Sequence, residues 1–288
     1  MANLKEIRNR IASVSSTMQI TSAMKMVSAA KLKKAQDAIT AMRPYADKLT
    51  ELLQNLSANL DGDNSSKFAQ VREVNKVLVV SISSNRGLCG AFNSNIVKQS
   101  VSLLQGKYGN KQVDFVTIGK KADDLLRKRH TIVSNHNDIF DTLTFEEVEK
   151  IADKLMELFT NGSYDRILLV YNRFKNAATQ IVMTEQFLPI QPPAESTAQG
   201  NADYIYEPSE AEIVEQLIPK SLKTQLFKAI RDSFAGEHGA RMTAMHKATD
   251  NAGDLKDQLT LTYNKARQAA ITNEILEIVG GAEALSNG

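Results

Sequence analysis

In 288 residues there is a single cysteine, Cys89. One thiol excludes an internal disulfide, a Cys-x-x-Cys redox pair and a cysteine-built zinc site, and it fits a reducing compartment. The four histidines, His130, His136, His238 and His246, form no His-Glu-x-x-His or comparable ligand spacing, so no metal is expected. Long apolar runs are missing too. The longest aliphatic stretches, residues 77–80 and 167–170, fall far short of the ~18 residues that a membrane helix needs, so no direct membrane span is expected. The start, MANLKEIRNR, enters an amphipathic helix at once, with Asn3 as N-cap and Glu6 three residues later, which leaves no room for a secretory signal. Proline is absent after Pro219. A helix over residues 220–284 would run roughly 100 Å at ~1.5 Å per residue.

What is present is the composition of a folded globular chain, 42% hydrophobic and 24% charged. The net charge of +2 conceals an asymmetry: residues 1–48 carry nine Lys or Arg against three acids, whereas residues 207–288 carry nine against twelve. A basic helix suits either phosphates or an acidic protein surface. The cluster Lys31, Lys33, Lys34 lacks interleaved aromatics and any RNA-binding, zinc or helix-turn-helix signature, so no nucleic acid partner is expected.

Both ends carry a coiled-coil repeat. From Met245 the alternating steps of three and four fall on Ala248, Ala252, Leu255, Leu259, Thr262, Ala266, Ala269 and, past Asn273, Leu276. At the other terminus Leu4, Ile7, Ile11, Val14 and Met18 share a register with Leu32, Ala35, Ile39, Met42, Ala46, Leu49, Leu53, Leu56 and Leu60. Between those blocks the register slots hold Thr21, Lys25 and Ser28, while the apolar stripe steps over by one to Ile20, Met24 and Val27, and so faces elsewhere. Two such helices joined by a large middle segment pack most simply as an antiparallel two-helix coiled coil, with two unrelated helices of one bundle as the alternative. Pro44 should kink or break the first helix near residues 42–45, and Pro219 should mark a bend. Gly236 and Gly239 should weaken the last helix.

The middle reads differently. Strands are expected at 76–82, 112–118, 131–134, 166–171 and 179–188, alternating with helices at 93–104, 120–129 and 145–160. Thr144 with Glu147 would open the last of these as a capping box, and Asn161-Gly162 would close it. The alternation implies an α/β domain, a Rossmann-like, mostly parallel sheet covered on both faces, with the last two strands as an antiparallel edge hairpin. Residues 61–66 are turn-rich, 191–202 read as a polar linker, and Ser209 with Glu212 as a capping box. The expected organisation is a discontinuous shaft, 1–74 and 208–288, with an α/β domain inserted over 75–207.

The turn Ser83-Ser84-Asn85-Arg86-Gly87-Leu88-Cys89-Gly90 sits where a nucleotide-binding fold puts its phosphate loop. It has one Gly-x-x-Gly and lacks both Gly-x-Gly-x-x-Gly and the Gly-Lys-Ser/Thr ending of a P-loop, so a structural tight turn is the better reading. Cys89 at a helix start would suit a nucleophile. No histidine is tied to it by spacing, and a small residue filling a buried gap fits as well. The residues offer no catalytic constellation and no cofactor site.

Three stretches carry a resemblance. Residues 10–35 (RIASVSSTMQITSAMKMVSAAKLKKA), the turn SSNRGLCGAFN and residues 241–285 resemble the γ subunit of the F-type ATP synthase, as does YIYEPS at 204–209. The most specific part is Ile271-Thr272-x-Glu274-x-x-Glu277-x-x-x-Gly281-Ala282, which matches the family signature position by position. The resemblance implies a central rotor shaft inside a ring of three α and three β subunits, with the inserted domain at the membrane end near subunit ε and the c-ring. It couples proton or sodium flow to ATP synthesis or hydrolysis at β, so this chain has no catalytic site of its own.

By the family pattern Arg267 and Gln268 meet a loop of a β subunit, with Thr272 and Glu274 nearby. Met24 and Lys25 face β, and residues 275–285 sit in an apolar collar. The implied location is the cytoplasmic face of a bacterial inner membrane, as a peripheral part of the complex. Two positions depart from the pattern: an acid is usual at Asn85, and a Ser-Glu pair at Gly236-Glu237. The two-cysteine insertion of chloroplast members is absent, which excludes that form of thiol regulation. From the residues alone, a coiled-coil scaffold with a nucleotide-binding α/β domain remains the alternative.

Overall fold

A computed structural model describes residues 4–59, 67–190 and 210–286. The chain divides into two compact units, residues 28–241, and residues 1–27 together with 242–288. Two helices, α1 (Leu4–Asn59) and α5 (Glu210–Ser286), contribute to both.

In the larger unit the runs of Val, Leu and Ile become strands: β1 (Lys76–Ile82), β2 (Gln112–Ile118), β3 (Ile132–Asn135), β4 (Arg166–Phe174) and β5 (Gln180–Leu188). Their order across the sheet is β3-β2-β1-β4-β5. The first four run parallel, and β5 returns antiparallel to β4, as the short connection between them required. Helices α2 (Phe92–Gln105), α3 (Lys120–Leu126) and α4 (Phe145–Thr160) make the crossovers.

Successive residues of β1 serve opposite faces. Leu78, Val80 and Ile82 join Val148, Ile151, Leu155 and Phe159 of α4 and Ile218, Leu222, Leu226 and Ile230 of α5. Val77 and Val79 join Ile96 of α2 and Ala122 and Leu126 of α3. Both faces are therefore covered, which is why the strands read as unbroken apolar runs.

Several local expectations are refined. Neither Pro44 nor Pro219 breaks its helix: α1 and α5 continue through both. A proline inside a helix costs about 3 kcal/mol. Around Pro219 the buried Ile218 and Leu222 bind the helix to the sheet on either side, and burying two such side chains at about 2 kcal/mol each offsets that cost. Thr144 stands at the N-cap of α4 with extended backbone but makes no capping bond through its side chain. Glu147 takes the Lys150 ammonium at 2.6 Å instead. Asn161 does cap the other end, followed by Gly162 at φ +72°. Gly236 and Gly239 are sites of close approach and not of weakness: a β-carbon at Gly239 would meet the Ala177 carbonyl oxygen at 3.1 Å, and one at Gly236 would meet Gln180 Cγ at 3.3 Å. The turn at 61–66, the linker at 191–202 and the cap residues Asn3 and Ser209 lie outside the described residues.

The smaller unit is an antiparallel helix pair. Arg8 donates to the Tyr263 hydroxyl at 2.9 Å, and the Thr21 and Thr249 hydroxyls meet at 2.8 Å, so rising numbers on α1 match falling numbers on α5. On α1 the seam falls as read: Ile7 and Thr21 are buried, with Ile11, Val14 and Met18 half-buried, while Ile20 and Val27 stand exposed on another side. On α5 Met245, Ala248 and Ala252 are shielded as read, with Thr249 beside Ala248. From residue 255 on alternate positions are displaced by one: the shielded residues are Lys256, Leu259, Tyr263, Ala266 and Ala270, whereas Leu255, Thr262 and Ala269 are exposed. Thr249 and Tyr263 take seam places because each finds a polar partner across it.

Candidate functional site

The turn after β1 is held from within. Ser84 donates to the Arg86 carbonyl at 2.7 Å, Asn93 of α2 accepts from the Ser84 backbone N–H at 3.0 Å, and its amide nitrogen reaches Cys89 Sγ at 3.2 Å. Leu88 at φ +62° and Gly90 at φ +60° complete the reversal. Gly119 lies so close that a β-carbon there would strike the Ser83 carbonyl, and its φ of +99° suits no other residue. Asn85 donates to the Asn137 carbonyl at 2.8 Å and accepts from the Lys120 N–H at 3.0 Å at the start of α3. An aspartate could take the second bond but not supply the first, so the amide ties two segments where a carboxylate ties one. Burial raises the pKa of the Cys89 thiol, which leaves it protonated and inert.

In an open parallel sheet, ligands settle outside the carboxyl ends of the strands where the order reverses, here between β1 and β4. That place is taken by α5. A β-carbon on Gly236 would lie 3.4 Å from Phe92 and 3.5 Å from the Asn172 carbonyl of β4. One turn on, Arg241 donates to the carbonyls of Arg86 and Gly87 at 3.1 and 3.3 Å and pairs with Glu237 at 2.6 Å, both side chains buried. A phosphate loop presents N–H groups to its ligand; this turn presents carbonyls to an arginine of its own chain. Burial raises the Glu237 carboxyl pKa against the pull of Arg241. His238 beside it stacks edge-on to Phe234 at 4.5 Å, and neither ring nitrogen has a hydrogen-bond partner among the described residues. Burial, with Arg241 and Lys31 adding to it, pushes its pKa down to about 4, so the ring is neutral near pH 7.

The residues singled out for partner contact lie on the helix pair, in two separate groups. Met24 and Lys25 are half-buried on α1, three or four residues beyond Thr21 and therefore level with the stretch of α5 just before Thr249. Arg267, Gln268, Thr272 and Glu274 are all exposed on α5 and lie roughly 30 Å further along at ~1.5 Å per residue. The Thr272 hydroxyl is turned back on its own helix, donating to the Gln268 carbonyl at 2.9 Å. Helical spacing puts Arg267 and Glu274 in one row with Ile271 and Ile278, and Gln268 and Thr272 in the next row with Ile275 and Val279. From Ile271 to Glu283 every residue is exposed, and Ile271, Ile275, Leu276, Ile278 and Val279 are large apolar side chains among them.

Sequence reasoning missed the Arg241 contact, although a buried pair at Glu237 and Arg241 has the i, i+4 spacing that would signal one. Among the described residues no group of acidic, histidine or cysteine side chains could hold a metal, and no helix is long and apolar enough to cross a membrane.

The model of the ATP synthase family matches residues 3–285. The ATP synthase gamma chain of Flavobacterium psychrophilum is 70% identical over 285 residues, covering 99% of both chains. That of Cytophaga hutchinsonii is 52% identical over 295 residues and covers both chains in full. Among solved structures, a chain in the OSCP/F1/c-ring assembly of Euglena gracilis mitochondrial ATP synthase superposes with a TM-score of 0.71 at 24% identity, covering 98% of this chain and 94% of that one. At that identity the likeness speaks for the fold, and the curated relatives speak for the family. With its residues matched almost end to end, the chain belongs to the ATP synthase gamma chain family.

Proposed function

We propose that this γ subunit acts as the turning central stalk of an F-type ATP synthase, passing mechanical work between an ion-driven ring in the membrane sector and catalytic β subunits, and that it carries no catalytic site itself. The observation behind this is the bare end of α5. A helix segment that leaves Ile271, Ile275, Leu276, Ile278 and Val279 exposed is unfavourable in water unless another protein surrounds it. Charged and amide groups interleaved with those apolar residues suit a sleeve that grips at some angles and slips at others.

Arg267 and Gln268 serve as the polar catch toward a β subunit, with Thr272 and Glu274 beside them. Arginine meets carboxylates through paired donors, and glutamine both donates and accepts. Met24 and Lys25 make a second contact with the ring lower on the shaft. The exposed lysines and arginines of α1 favour an acidic partner surface and speed its approach. The α/β domain, taken as inserted over 75–207, meets subunit ε and the c-ring. The complex stands on the cytoplasmic face of the inner membrane, to which this chain is peripheral.

The test is the double variant Arg267→Ala with Gln268→Leu in a complex reconstituted with its α and β subunits. Losing a partly desolvated charged contact costs 2 kcal/mol or more, so turnover or assembly should fall by about tenfold at least. Wild-type assembly and turnover in the double variant would remove these two residues from the coupling contact.

A further inference from the structure

Away from the helix pair, the sheet unit holds a cavity of about 280 Å³ between the connection that follows β3 and one stripe of α4. Asn135, His136, Asp138, Ile139 and Thr142 line one wall; Glu147, Lys150, Ile151 and Lys154 line the other. The spacing of the second set, i, i+3, i+4 and i+7, is a single helix face, which brings both lysines to the same opening. Their states differ. Lys150 is neutralised by Glu147 at 2.6 Å, whereas Lys154 makes no ion pair among the described residues. His136 is fixed by the contact of its Nε2 with the Ser134 hydroxyl at 3.1 Å and by its backbone N–H donating to Thr117 at 2.9 Å. Burial, and next the Lys154 charge, lower its pKa, so the imidazole stands neutral beside an uncompensated ammonium. The only other charge lining the cavity is the exposed carboxylate of Asp138.

We propose that this cavity binds a small phosphate monoester, its phosphate held by Lys154 and His136. An ammonium and an imidazole on opposite walls, with a threonine hydroxyl beside the imidazole, suit a tetrahedral anion with several acceptors better than a planar carboxylate; the Asn135 amide, which donates to the Thr117 hydroxyl at 3.1 Å, takes no part. The volume exceeds what one phosphate fills. Ile139 and Ile151 supply apolar surface for an organic remainder, and Asp138 and Glu147 can accept from its hydroxyls. Nothing in the turn after β1 or on the helix pair takes part, so this site is independent of the stalk contact proposed above.

The full chain, isotopically labelled at histidine, would be titrated with glycerol 3-phosphate, inorganic phosphate and glycerol while the ring resonances of His136 and the remote His238 are followed by NMR. The expected result is a saturable shift of His136 alone with glycerol 3-phosphate, a weaker response to free phosphate and none to glycerol. Anion binding favours the charged imidazole, so its pKa should rise. Lys154→Ala should weaken binding at least tenfold with an unchanged thermal midpoint, and Lys154→Arg should restore most of it. A response absent up to about 50 mM, well above the millimolar range of weak ligands, would overturn the site. So would equal affinity in Lys154→Ala. Inorganic phosphate binding as tightly as the ester would overturn the assignment of an organic remainder.

Discussion

The two units of this chain treat apolar side chains in opposite ways. In residues 28–241 the sheet is sealed on both faces, and Val77, Val80, Ile96, Phe115, Phe159 and Leu226 are fully buried. In the other unit shielding is confined to one seam, and from Ile271 to Glu283 α5 has none. The first unit is stabilised by its own interior. The second keeps a helix whose exposed apolar residues contribute nothing to its stability until something covers them.

The contrast can be broken most sharply by truncation. Phe159 is fully buried, with the Arg72 guanidinium 5.1 Å from its ring centre. Phe159→Ala should cost about 3 to 5 kcal/mol in denaturant unfolding of the full chain. A loss under about 1 kcal/mol would mean that the sheet unit is not the stable core described.

Acid probes the same interior. His238 has a folded pKa of about 4 against an ordinary value of 6.5. Between those values the unfolded chain binds the additional proton, so stability is full above about pH 6.5, declines as pH falls and levels off below about 4. At roughly 1.4 kcal/mol per unit the change reaches about 3 kcal/mol. Glu237, whose folded carboxyl pKa is raised, takes up a proton in the folded state as pH falls and offsets part of the loss. Comparison with His238→Gln isolates the histidine: the variant should lack this decline, and parallel pH curves for the two proteins would contradict it.

The smallest effect belongs at the far end. Ile278 is 71% exposed, and Ile278→Ser should leave the unfolding free energy of the full chain within about 0.5 kcal/mol. A large destabilisation would show that the chain itself covers this segment.

Much of the fold was legible. Dense Val, Leu and Ile flanked by glycine and polar turns marked the five strands to within a few residues, because a doubly covered strand has no solvent face to confuse the pattern. The helix pair was legible in kind but displaced on α5. Leu255 was chosen for the seam over Lys256, since apolarity is a good guide only where nothing outside the chain also wants apolar surface. Arg267 and Gln268 were legible as flank positions, whereas Thr272 and Glu274, like the contact role proposed for all four, came from the family likeness. Continuity through Pro44 and Pro219 was not legible, because local propensity cannot register packing on the two sides of a proline. Nor was the filled crevice: Gly236 and Gly239 look like helix breakers until the β4–β5 hairpin is seen against them.

The bare end of α5 also bears on how many copies of this chain a cell can hold. Five large apolar side chains within nine residues make each uncovered copy adhesive toward any other, so a surplus would associate with itself. Synthesis must therefore keep step with the supply of the surrounding subunits. An excess would be drawn off by chaperones and proteases, which sets the abundance of the chain by its partners' stoichiometry and not by its own stability.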